Sequence, residues 1–89
     1  MNAIVTVVGK DKVGIIAAVC NKLAGCNVNI LDISQTIMRG SFTMVMAVDI
    51  SKASVSLDEI RSGLSRLGEE MTLSIRIQRE EIFDAMHTI

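Results

Sequence analysis

Between Asn2 and Val8 the chain places Ile4, Val5, Val7 and Val8, β-branched residues that cannot all point to one side of an extended backbone. A run of this kind predicts a strand in the middle of a sheet, buried on both faces, around which the rest must be arranged. Gly9-Lys10-Asp11-Lys12 then breaks it. From Gly14 to Ala24 the apolar spacing becomes that of a helix: Ile15, Val19 and Leu23 recur every four residues, and Ile16 and Cys20 widen the stripe. Gly25 suits the left-handed position that ends a helix.

Asn27 to Met38 reads as a second strand, with Val28 and Ile30 on one face and Leu31, Ile33 and Ile37 on the other. The change of parity after Ile30 implies a bulge, a bend or a two-sided strand. Arg39-Gly40-Ser41 is a tight turn into the alternating strand of Phe42, Met44, Met46, Val48 and Ile50, so the pair forms a β-hairpin. Ser56-Leu57-Asp58-Glu59 is a capping box, opening a helix with Leu57, Ile60, Leu64 and Leu67 on its apolar stripe and Gly68 at its end. Gly63 in mid-helix implies close approach to a neighbour. Met71, Leu73, Ile75 and Ile77 alternate with polar residues as in an edge strand, and about 80–89 reads as a short C-terminal helix with Ile82, Phe83, Met86 and Ile89 on one stripe. The order β-α-β-β-α-β predicts a single domain, residues 1–89, of the α+β class: a ferredoxin-like sandwich with an antiparallel sheet and both helices on one face. The last helix is expected to pack on the other face or on a second subunit.

Composition excludes several functions. Nine Lys and Arg against ten Asp and Glu leave no basic excess for a phosphate backbone. With no Tyr or Trp and only two Phe, the chain lacks base-stacking platforms, so no nucleic-acid partner is expected. No apolar run approaches the ~20 residues of a membrane span. Two cysteines make no disulfide framework, and no signal peptide is evident at Met1–Val5. The reading is a soluble cytoplasmic protein with no membrane partner.

Gly9 and Gly14 have the glycine spacing of a phosphate-binding loop, but Ile15 and Ile16 stand where Lys and Ser or Thr are required. The plain reading is a strand-to-helix turn with Asp11 capping the helix. The same turn sets Lys10, Asp11 and Lys12 ahead of helix N–H groups that attract anions, and Gly14 would admit a ligand close to the backbone. Cys20 and Cys26 lack metal or redox spacing. His87 with Asp84 cannot complete a metal site alone. No nucleophile has a base beside it in a recognisable pattern, so neither an enzyme nor a cofactor is expected. A metal-handling domain would want a cysteine pair in the first turn, and an acylphosphatase an Arg there; neither is present.

Val7-Val8-Gly9-Lys10-Asp11-Lys12-Val13-Gly14-Ile15-Ile16-Ala17, then Asn27-Val28-Asn29-Ile30 and Asp32-Ile33-Ser34-Gln35, resemble an ACT domain. Ile82-Phe83-Asp84-Ala85-Met86-His87 resembles the ending of a small stand-alone single-ACT family, and the glycine cleavage system regulators are similar at a greater distance. The resemblance implies a regulatory module that pairs with a second copy and binds an amino acid or similar metabolite at the interface. It implies ligand contacts from Asp11, Val13, Gly14 and Ile15 in the first turn and from Asn29 and Ile30 in the second strand. The best-known serine-binding relatives have Asn where this chain has Asp11. An ionised Asp cannot donate to a ligand carboxylate, but it can pair with an ammonium group. With no catalytic domain attached, the regulated partner is expected to be a separate protein. The alternative is a ligand-free protein–protein interaction dimer.

Overall fold

The structure, a computed structural model, describes residues 1–81. The elements follow the expected order: β1 (Asn2–Lys10), α1 (Ile15–Gly25), β2 (Asn29–Met38), β3 (Ser41–Asp49), α2 (Leu57–Met71) and β4 (Leu73–Arg79). The expected helix at about 80–89 lies outside the described residues from Ile82 onward; Glu80 and Glu81 leave β4 in helical conformation. The four strands form one antiparallel sheet in the order β2-β3-β1-β4, so β1 is central and β2 and β4 are edges. This is the ferredoxin-like arrangement.

Both helices lie on one face. The core there is Ala3, Val5 and Val7 from β1, Phe42, Met44, Met46 and Val48 from β3, and Ile75 and Ile77 from β4, packed beneath Ile15, Val19 and Leu23 of α1 and Ile60 and Leu64 of α2. The other face is open, which corrects one expectation. β1 is central in the sheet but buried on a single face: Ile4 and Thr6 are half-buried and Val8 is exposed. Its β-branched run reflects pairing on both edges more than burial on both faces.

The parity change in β2 is a bulge. The register shifts between Ile30 and Asp32, so Leu31 is the extra residue. Ile30, Ile33, Gln35 and Ile37 thereby all stand opposite core residues of β3 (Val48, Met46, Met44 and Phe42) and share the helix-side face. The hairpin turn is Arg39-Gly40, both at positive φ (53° and 81°), the two-residue turn whose twist suits a hairpin.

Three other glycines expected in turns have different work. Gly9 lies within β1, where a Cβ would collide with the Leu73 side chain. Gly25 is the last helical residue of α1, and the left-handed residue that follows is Asn27 (φ 58°), its amide donating to the Lys52 carbonyl at 2.7 Å. Gly68 does not end α2, which runs on to Met71 and stops at Thr72 (φ 58°). A Cβ on Gly68 would stand 2.6 Å from the Leu73 carbonyl oxygen, so glycine is needed for α2 to lie on the start of β4. Gly63 does mark a close approach: the Lys22 stem crosses it. At the start of α2, the Glu59 N–H donates to Ser56 Oγ at 3.2 Å, the helix-capping half of the expected box.

Candidate functional site

The turn between β1 and α1 is held at two points. The Asp11 N–H donates to the Gly40 carbonyl at 2.8 Å, tying the turn to the β2–β3 hairpin. The Lys12 ammonium donates to the Met71 carbonyl at the end of α2, where a cation also suits the helix dipole. Lys12 is therefore a tether, a role that spacing alone did not reveal.

The start of α1 is bare. Its N-cap is Gly14 at φ 89°, a left-handed conformation that favours glycine, and no side chain caps the helix. The expectation that Asp11 caps it is not met; the backbone of Asp11 is instead tied to the hairpin at Gly40. The Gly14 carbonyl accepts from the Ala18 N–H at 2.9 Å, so the N–H groups of Ile15, Ile16 and Ala17 have no partner from their own helix ladder. A Cβ on Gly14 would meet nothing within 4 Å; the space above the backbone is open.

Beside this helix start is a hollow of about 300 Å³. Asp11, Lys12, Gly14 and the first residues of α1 form one wall, and Gln35, Ile37 and Phe42 from the hairpin form the other. Of the six expected site residues, the fold brings Asp11, Gly14 and Ile15 together here; Ile15 is itself buried and anchors the helix to the core. Val13 is fully exposed beside it. Gln35 went unrecognised because its placement depends on the bulge at Leu31, which turns it to the helix side.

Asn29 and Ile30 are elsewhere. Asn29 pairs with Asp49, which pairs with Asn2, whereas Asp11 follows Lys10. The eight steps from Asn2 to Lys10 at ~3.4 Å put the two ends of the sheet about 27 Å apart. Asn29 lines a second hollow, of about 370 Å³, with Asn27, Asp49 and Lys52. Asp49 is held below the ordinary carboxylate range, chiefly by the Ser51 N–H at 2.9 Å and the Ser51 hydroxyl, with the Met1 ammonium 3.6 Å away adding to the effect. Ile30 is half-buried against the core. The two groups of expected site residues therefore lie at opposite ends of the sheet in one copy of the chain.

Among the described residues no cluster of His, Cys, Asp and Glu could hold a metal ion, and no helix is long and apolar enough to cross a membrane. Both cysteines are free and half-buried.

The family model for the ACT domain matches residues 2–78. A UPF0237 protein of Listeria innocua is 56% identical over 89 residues, the whole of both chains. Among solved structures, an ACT domain protein from Streptococcus pneumoniae superposes with a TM-score of 0.81 at 42% identity, covering 93% of each chain. A candidate glycine cleavage system transcriptional repressor shares the fold (TM-score 0.77, 24% identity) over 88% of this chain and 44% of its own.

Proposed function

This chain belongs to the ACT domain family, and on that premise we propose that it senses an amino acid or a similar small metabolite between two copies of itself and acts on a separate protein. The observation that carries the reading is the uncapped start of α1, beside a hollow that Asp11 and Gln35 also line. Backbone N–H groups at a helix start suit a carboxylate, and the Asp11 carboxylate suits an ammonium group. Those are the two charged ends of an amino acid.

The second copy supplies what one copy lacks. Among the described residues, six of the eight exposed large apolar side chains gather along β2 and the adjoining turn and helix: Leu31, Ile33, Ile37, Met38, Val13 and Ile16. An apolar edge strand of this kind is a template for pairing. Two β2 strands side by side about a two-fold axis run antiparallel. The start of the second copy's β2, with Asn29, then lies at the end of the first copy's β2, beside Gln35 and Asp11. The half-sites 27 Å apart in one chain become neighbours in the pair, twice over.

Thermal-shift screening with the proteinogenic amino acids tests the reading, since a ligand of the native state raises the unfolding midpoint with concentration. Titration calorimetry on any hit should show Asn29→Ala weakening binding by roughly 1–3 kcal/mol. Asp11→Asn should change which ligand is preferred. Sedimentation equilibrium should give twice the chain mass. A dimer that binds none of the amino acids would instead be a ligand-free interaction module, and a monomer would overturn the proposal.

A further inference from the structure

We propose that the outer edge of β4 takes an extended acidic segment of another protein as an added strand, seated in the groove between β4 and α2. This goes beyond the ligand reading and does not depend on it. The two edges of the sheet differ in kind. Among the described residues, none of the exposed large apolar side chains lies on β4 or α2. An apolar edge suits a permanent partner, and a polar one suits a partner that binds and leaves. β4 pairs with β1 along one edge, and the outer edge of Leu73–Ile77 has no strand beside it among the described residues. The outward N–H and C=O groups of such an edge are a template for one more strand.

The groove beside that edge has a volume of about 680 Å³, larger than either hollow above. Arg61, Ser65 and Glu69 of α2, spaced four apart on one stripe, form one wall. β4 forms the other, with Ile75 and Ile77 buried and Ser74 and Arg76 exposed. Gly68 rests on Leu73, so Glu69 stands at that end of the groove. Arg61, about 12 Å back along α2, stands toward Ile77. Charge selects the occupant. The Arg76 guanidinium makes no hydrogen bond or ion pair among the described residues, and with Arg61 across the groove this end calls for carboxylates. A second copy fits poorly. Two β4 strands aligned antiparallel over Leu73–Arg79 set Arg76 opposite Arg76, and like charges facing across strands are destabilising. An extended segment with alternating acidic and apolar residues fits both faces: carboxylates beside Arg76, apolar side chains beside Ile75 and Ile77.

A short fluorescent peptide alternating valine and glutamate is the probe, its anisotropy read against the full chain. It should bind on the order of tenfold more tightly than its valine–lysine counterpart. An added strand has one edge on β4 and one in water, so N-methylating one alternate set of peptide amides should abolish binding and methylating the other should not. Arg76→Glu should erase the preference for glutamate, and Glu69→Lys should tighten the glutamate peptide. Saturating peptide should slow amide exchange along β4 and leave β2 unchanged. Equal binding of the two peptides, indifference to methylation, or protection along β2 would each overturn the proposal. So would an Arg76→Glu variant whose assembly changes mass, which would assign the edge to a second copy. No binding to the full chain would also overturn it, the edge then being covered by the chain's own end or by another copy.

Discussion

Adding one methyl group at Gly68 and the same group at Gly25 should move stability in opposite directions. Both glycines are helical, and replacing glycine by alanine in a helix interior is worth up to about 1 kcal/mol in propensity. At Gly25 a Cβ meets nothing within 4 Å, so Gly25→Ala should stabilise by some or all of that amount. At Gly68 the Cβ stands 2.6 Å from the Leu73 carbonyl oxygen and 3.4 Å from Ile75 Cγ1. Real Cβ contacts need at least 3.0 Å, so α2 or β4 must give by about 0.4 Å. Leu73 cannot easily yield, because it is paired with Gly9 of β1 in the sheet. Overpacking of this kind costs about 1–3 kcal/mol, which exceeds the propensity gain. Gly68→Ala should therefore lie about 1–3 kcal/mol below Gly25→Ala in unfolding free energy, with a lower urea midpoint. With no Trp or Tyr in the chain, urea unfolding followed by far-ultraviolet circular dichroism is the assay. Equal midpoints for the two variants would show that α2 does not rest on β4 as described.

Three further outcomes are expected. Thr72→Gly should raise stability by roughly 1 kcal/mol in the same urea titration, since a β-branched residue is strained at φ 58° and glycine is not. Lys12→Met should lower it by about 0.5–1.5 kcal/mol by removing the bond to the Met71 carbonyl, and should speed amide exchange in the turn around Asp11. Asp49 is held below its ordinary range in the folded chain, so its contribution is present above pH ~3.9 and is lost as pH falls through the lowered folded value. Asp49→Asn should flatten that part of an acid-unfolding curve.

The order of elements was legible because the apolar period changes sharply at Gly9, Gly25 and Ser56, and because Ser56 and Gly40 stand where a cap and a hairpin turn need them. The roles of Gly9 and Gly68 were not, since both answer to Leu73, a residue distant from Gly9 in sequence and invisible to local spacing. The same holds for the end of α2. Met71 fits a strand alternation, yet packing on β4 carries the helix through it. The first half of the candidate site was readable from Asp11 and Gly14. The second, around Asn29, could not be placed relative to the first from spacing alone, for a reason of topology. A β-α-β crossover returns the chain to the end of the sheet where its first strand began, so Asn29 starts beside Asp49 and Asn2. Gln35 was hidden by one extra residue, Leu31, which reverses the face of everything after it.

The strand order also dictates when the domain becomes whole during synthesis. Only β2 and β3 pair across a short turn; β1 must wait for β3, more than thirty residues later, and for β4, which closes at Arg79. A nascent chain that has emerged only as far as α2 carries a central strand with one free edge and a helix whose resting place, the start of β4, has not yet arrived. Until those last seven residues of the sheet are available, Val5 and Val7 lack the Ile77 and Ile75 that flank them in the finished core. Long-range pairing of this kind is slow and leaves apolar edges exposed while it is pending. Premature termination anywhere before β4 thus yields an open template for aggregation, and the first strand made is the last to be fully paired.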